Sequence, residues 1–220
     1  MVVRNSTKKV EEALVVRHRQ EPEPLAEGEL GGSVTMSRAL AQSAHGLTLN
    51  EARVMMLATR CIDPRKSPYA YAKDGYVKVR VTADEFAQMA EMAGEEGRTP
   101  TAAYEGLKAA CDKLFDRRAT WREGKKIIKL AWVWKATYHE GEGWAEVCFS
   151  PDMTPHLFML GSKFVRYRLE MARGLRSTYS VNLLRLLMTQ KDTGFLAITL
   201  DDFKHAMEVP ISYQYKDIKR

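Results

Sequence analysis

Two stretches of this chain open in the same way. Val81-Thr-Ala-Asp-Glu-Phe86, with Met89 behind it, and Ile198-Thr-Leu-Asp-Asp-Phe203, with Met207 behind it, share one order. Each reads as the end of a strand, a capping threonine, an acidic first turn and an apolar helix face. Such an echo constrains the fold more tightly than composition does, because each copy brings its own helix and its own apolar face to bury. A length of 220 residues suits two such units, at roughly 100–200 residues for a typical domain.

The segments around the first copy complete a plan. Thr48-Leu-Asn-Glu51 has capping-box spacing, and Ala52, Val54, Met55, Leu57, Ala58 and Cys61 follow at helical intervals until Asp63-Pro64. Residues 76–81 alternate with period two and predict a strand. The helix opened by Thr82 carries Phe86, Met89 and Met92, and Gly94 and Gly97 break it. Thr99-Pro100 starts another helix, Pro standing where a missing amide costs nothing. That helix runs through Leu107, Ala110, Cys111 and Leu114 to about Asp116. Strands are then predicted over residues 117–122, 127–138 and 144–150, with a turn at Glu140-Gly-Glu-Gly143. On the long middle strand, Ile128, Leu130, Trp132 and Trp134 share a face. A helical hairpin followed by a β-hairpin is the winged helix-turn-helix plan.

The second copy is shorter. Residues 179–188 form a strongly apolar helix, Asp192-Thr-Gly194 stops it, and residues 195–199 predict a short strand. The helix of residues 200–207 ends at Val209-Pro210, and residues 211–220 begin a further helix. The fold class is therefore α+β, with two tandem winged-helix domains, the second truncated at its C-terminus. Residues 1–32 read as a flexible tail, since the run from Glu21 to Glu29 joins acids, Pro and Gly without an apolar period. Residues 33–160 form the first unit, for DNA binding and dimerisation, and 161–220 the second.

Charge narrows the function. Lys and Arg number 34 against 28 acids, a net of +6, and the surplus is local. Residues 112–140 hold eight bases and four acids; residues 161–191 hold seven bases and one acid. The positive field therefore sits on the third helix, the following hairpin and the junction of the two units, where a winged helix meets phosphates. Catalysis finds no footing. The five histidines (His18, His45, His139, His156 and His205) form neither HxH nor HExxH, and Gly124-Lys125 lacks the upstream glycine of a phosphate loop. Asp201 and Asp202 point about 100° apart on a helix and suit its N-terminal dipole better than a metal. Cys61, Cys111 and Cys148 form no CxxC, and Cys111 lies on an apolar helix side. The expectation is no enzyme, no metal and no cofactor. No stretch is long and apolar enough to span a membrane, and no secretory signal opens the chain, so the expected location is the cytoplasm.

Five ordered segments resemble one family, the iteron-binding replication initiators (Rep proteins) of theta-replicating bacterial plasmids. Residues 37–54, ending Leu47-Thr-Leu-Asn-Glu-Ala-Arg-Val54, are similar to the family's opening segment. Residues 99–118, with Tyr104, Leu107, Leu114-Phe115 and Arg117-Arg118, are similar to the helix that enters DNA in the first winged helix. Phe164-Val-Arg-Tyr-Arg-Leu169, then Tyr179-Ser180 with Leu183, resemble the junction into the second. Val209-Pro210, Ser212-Tyr213 and Lys216-Asp-Ile-Lys-Arg220 resemble the start of the second recognition helix. Asn182, Leu184 and Arg185 depart from the family's usual Arg, Tyr and Glu, as Ile218 does from Phe. The resemblance implies that the family's chains continue beyond this point, so the second unit reads as cut short and its last helix as frayed.

The expected site residues follow. Arg98, Thr101, Glu105 and Lys108 are candidate base readers beside the capping Thr99, and Lys113, Arg117, Arg118, Arg122, Lys125 and Lys126 are candidate phosphate contacts. Ser212, Tyr213, Gln214, Lys216, Lys219 and Arg220 belong to the second reading helix by resemblance. Trp132, Trp134 and Trp144 are the expected dimer interface, on an edge with free amides and carbonyls. The resemblance implies double-stranded origin repeats as partner, homodimers that repress their own gene, and recruitment of a host initiator and helicase. The alternative is a winged-helix transcriptional repressor with no replication role. A rolling-circle nickase would need paired histidines and a nucleophilic tyrosine.

Overall fold

A computed structural model of the chain describes residues 31–70, 72–73, 76–91, 99–161, 164–210 and 212–213. Residues 1–30, Met92, Gly94, Gly97, Arg98 and residues 214–220, on which several expectations fall, lie outside the described residues. At the centre lies helix α2 (Leu49–Arg60), preceded by β1 (Ser33–Ser37) and the short α1 (Arg38–Ala41). Every residue of α2 from Glu51 to Arg60 is buried, so elements pack on it from all sides. Its capping box forms as expected, with the Thr48 amide donating to Glu51 Oε2 at 3.0 Å.

The helix-turn-helix pair is α3 (Ala83–Glu91) and α4 (Pro100–Leu114), both packed against α2. The second predicted capping box also forms: Glu85 N–H donates to Thr82 Oγ1 at 3.2 Å, and Thr82 N–H to Glu85 Oε2 at 3.0 Å. The sheet of the first unit has the order β2-β3-β7-β6, from β2 (Ala72–Lys73), β3 (Tyr76–Thr82), β6 (Val133–His139) and β7 (Trp144–Phe149). Val77, Val79 and Val81 face inward, and Val79 and Val81 pair across with Val147 and Ala145 on β7. The β6–β7 hairpin is the wing, and Gly141 (φ 81°) and Gly143 (φ 72°) supply the left-handed positions of its turn.

The structure corrects the strand expected over 127–138. It is two strands in two different sheets, β5 (Lys126–Ala131) and β6, with a register irregularity between Val133 and Lys135. Trp132 stands at the break, 2 % exposed, and its indole N–H donates to the His45 carbonyl at 3.3 Å. Pulling that ring into the core turns the chain between the sheets. Strand β4 (Arg118–Glu123) pairs with β5 in a two-stranded sheet, in the register Arg118↔Ala131 to Glu123↔Lys126. This ribbon is inserted between α4 and the wing.

Residues beyond 160 join the first core. Strand β8 (Phe164–Arg168) runs antiparallel to β1, from Ser33↔Arg168 to Ser37↔Phe164, and buries Val165 and Tyr167 against Val34 and Met36. A 3-10 turn and the short α5 (Thr154–Leu157) precede β8; another 3-10 turn (Leu169–Ala172) follows it. Helix α6 (Thr178–Met188) is capped by Ser177 and puts Val181 into the same core. Helix α7 (Leu200–Met207) is capped by Thr199, whose Oγ1 accepts from Asp202 N–H at 3.1 Å, and forms a small second core from Leu186, Ala206 and Met207. Asp202 thus serves the helix start, where an acid suits the dipole. The strand expected over 195–199 is absent. That segment has no hydrogen-bonded strand opposite it among the described residues, and Phe195 is 70 % exposed.

Candidate nucleic-acid interface

Thr99 accepts from Ala102 N–H at 3.2 Å and Pro100 follows at the first helical position, so the start of α4 is built as its residues dictate. Ala103, Leu107, Ala110, Cys111 and Leu114 bury one face. Cys111 fills space there, and burial pushes its thiol up to about 12, away from nucleophile chemistry. The opposite face exposes Thr101, Ala102, Glu105, Ala109, Asp112 and Lys113. Ala102 and Ala109 keep this face free of bulk, a feature sequence reasoning overlooks because exposed alanines carry no polar signal.

Lys108 is half-buried and turned toward the wing, 3.7 Å from Glu140 and 5.7 Å from the Tyr138 ring centre. The wing turn itself carries Glu140 and Glu142. The wing tip is therefore acidic. The positive field lies on the inserted ribbon instead, where Arg118, Arg122, Lys125, Lys126 and Lys129 are exposed against Glu123. Register puts Arg118, Thr120 and Arg122 on one face with Ala131, Lys129 and Ile127. The other face sends Ala119 and Trp121 inward. Lys129 counts in the basic surplus of residues 112–140 but not among the expected phosphate contacts, because the long predicted strand hides the alternation of the shorter one.

Arg117 has a partner within the chain. Its guanidinium meets Glu51 with two hydrogen bonds, Nε to Oε2 at 2.7 Å and Nη2 to Oε1 at 3.1 Å, and Glu51 is fully buried. Burial alone would raise the Glu51 carboxyl; Arg117 and the Thr48 amide override it and hold it below its ordinary value. Arg117 thus staples the C-terminus of α4 to the start of α2. Arg118 Nη1 donates to the carbonyls of Phe115 and Arg117, at 2.6 and 2.8 Å, satisfying the helix end while remaining exposed.

Among the expected interface tryptophans, Trp132 is corrected to a core residue. Trp134 is 60 % exposed and stacks on Tyr76, ring centres 5.9 Å apart. Trp144 lies between His139, stacked at 3.4 Å, and Arg80, 4.4 Å from its ring centre, and its indole N–H donates to Glu142 at 2.8 Å. In the second unit Ser212 and Tyr213 are exposed, Tyr213 N–H donating to Pro210 O at 3.0 Å. Arg98, Gln214, Lys216, Lys219 and Arg220 lie outside the described residues. Arg166 and Arg168 on the outer face of β8 add exposed cations. Among the described residues no cluster of three His, Cys, Asp or Glu side chains forms a metal site, and no helix is long and apolar enough to cross a membrane.

The chain resembles a solved structure of the Pi initiator protein in complex with iteron DNA, at a TM-score of 0.67 and 20 % identity, over 87 % of this chain and 81 % of that one. At that identity the likeness establishes the fold. The WH1 domain of MSBI1.176, a replication protein isolated from a multiple sclerosis patient, overlaps 50 % of this chain and 76 % of its own, at 23 % identity and a TM-score of 0.34. Pairwise comparison with curated proteins finds no match. The first winged-helix domain (WH1) of initiator replication proteins matches residues 33–188, and the chain belongs to that family.

Proposed function

We propose that this protein binds double-stranded DNA sequence-specifically at direct repeats of a plasmid origin and initiates replication there. The observation that carries the reading is the pairing of an exposed, small-residue helix face on α4 with the five-cation ribbon β4–β5 that follows it. The helix is the right size for a major groove, and Thr101, Glu105 and Ala109 are its candidate base contacts. The ribbon's cations supply the salt-dependent backbone term, and Arg122, Lys125 and Lys126 are its candidate phosphate contacts. Membership of the initiator family, and the iteron DNA bound by the Pi initiator, support the same reading. It asks for no catalytic group or cofactor from the chain itself.

The division into units of residues 33–160 and 161–220 belongs to this proposal, with β8 and Val181 as the place where the second joins the first core. Self-association belongs to it too. Strand β6 is an outer strand of its sheet, and the Trp134–Tyr76 stack beside it offers apolar area to a second copy. A dimer of that kind would repress its own gene, and the monomer would recruit a host initiator and helicase in the bacterial cytoplasm. The test is a nuclease footprint of the purified chain on the DNA flanking its own reading frame. Tandem protected repeats are expected. A single protected site at the promoter, with no protected repeats, would leave a repressor instead.

A further inference from the structure

Strand β8 and helix α6 already join the second unit to the first core, so the part of that unit still to be fixed is α7, which carries its own small core. Glu208 is placed to fix it. It ends α7 with φ 56°, a left-handed conformation that favours Gly or Asn, so a glutamate there gains nothing as a cap alone. Its Oε1 accepts from the backbone N–H of His45 at 2.7 Å and of Gly46 at 3.1 Å. Both amides belong to the turn between α1 and α2, in the first unit. Gly46 has φ 63°, which helps two successive amides converge on one oxygen.

The receiving turn is itself rigid. The His45 ring Nε2 bonds the Leu40 carbonyl at 2.7 Å, the His45 carbonyl accepts from Trp132, and Ala44 bridges Thr120 of the basic ribbon in both directions. The second unit holds the other side. His205 Nε2 reaches the Thr120 carbonyl at 3.0 Å, Asn182 of α6 donates to the Met207 carbonyl at 3.5 Å, and Asn182 Oδ1 accepts from the buried Arg185. A carboxylate on two amides is the charge-assisted member of this set.

We propose that Glu208 is a positioning residue whose carboxylate, seated on the His45 and Gly46 amides, locks α7 of the second unit against the first and so sets the DNA spacing the chain accepts. This rests on the repeat-binding reading given above. The test compares the wild-type chain with Glu208→Gly, which relieves the left-handed backbone while deleting the carboxylate, and with Glu208→Gln, which keeps an acceptor oxygen. Binding is measured at fixed salt to repeat duplexes with one or two base pairs inserted or removed at the centre, each pair turning the groove by roughly 35°. The wild type and Glu208→Gln should prefer one spacing by about tenfold or more, and Glu208→Gly should bring all spacings within about threefold. A second readout needs no DNA: the distance distribution between labels at Lys129 and at Asp201 on α7 should be narrow in the wild type and in Glu208→Gln, and broad in Glu208→Gly. Glu208→Gly melting at or above the wild-type temperature, while losing the spacing preference, assigns the effect to the lock rather than to folding. A wild type indifferent to spacing, or a Glu208→Gly that keeps the preference and the narrow distance, overturns the proposal. If no repeat is bound at all, the functional reading fails, and the label distances alone decide for or against the lock.

Discussion

Removing the Arg117 side chain separates a structural cation from a DNA-binding one. In Arg117→Ala, Glu51 keeps the Thr48 amide at 3.0 Å but is deprived of both guanidinium bonds, while remaining fully buried. Breaking a fully buried pair costs about 3–5 kcal/mol. Arg117 itself is 33 % exposed, so solvent already screens part of the attraction, and about 2–3 kcal/mol is the fitting figure here. For a chain of this size that lowers the melting temperature by about 4–12 °C. The pH dependence follows from the depressed Glu51 carboxyl. The stability it contributes is present above its unfolded value near 4.5 and is lost as pH falls through the lower folded value. Without Arg117, burial drives that carboxyl upward, so the deficit is largest near neutrality and shrinks as Glu51 is protonated. Thermal melts from pH 7 to pH 4 and salt titrations of DNA binding measure both effects. A melting temperature within about 2 °C of wild type, joined to a salt slope lower by about one unit, would place Arg117 on a phosphate and refute the staple.

Other consequences are as direct. Ala109→Glu puts a bulky anion on the exposed face of α4 without touching the core, so DNA affinity should fall by at least about tenfold at an unchanged melting temperature, read by gel shift and calorimetry. His156 is half-buried, its Nδ1 2.8 Å from Ser37 Oγ, and burial pulls it below 6.5 against the opposing charge of Glu123. Its contribution to stability is intact above pH 6.5 and is lost as pH falls from there to the folded value; melts of His156→Asn should lack that part of the slope. Trp134→Glu should leave the fold intact and reduce self-association in a sedimentation series, whereas unchanged association would remove β6 from the interface.

Much of the fold is local, and the local signals are legible in the sequence. Thr48–Glu51, Thr82–Glu85, Thr99-Pro100 and Thr199 each cap a helix where their spacing requires. What escapes is non-local. Nothing in Ser33–Ser37 announces a strand whose partner lies at Phe164–Arg168, because that ladder exists only once the chain has closed on itself. Trp132 defeats the pattern because strict alternation assumes an unbroken strand, and a large ring drawn into the core breaks it. Residues 195–199 have strand composition, but a strand needs a neighbour. The site is half legible. The helix and the basic region after it are evident from the residues alone. That the cations gather on an inserted ribbon, while the wing turn is acidic and Arg117 is committed to Glu51, depends on pairings only the folded chain shows.

The central claim is that DNA lies along α4 and the β4–β5 ribbon. Its most direct test is the salt dependence of repeat binding by the wild type and by the triple variant Arg122→Gln, Lys125→Gln and Lys126→Gln. All three residues are exposed and none belongs to the core, so the variant should fold and melt as the wild type does. Each phosphate that a neutralised side chain no longer engages reduces the slope of log K against log salt by about 0.9, so the account predicts a reduction of roughly one to three units with an unchanged footprint. An unchanged slope in a folded variant would show that the ribbon faces away from DNA and would contradict the account.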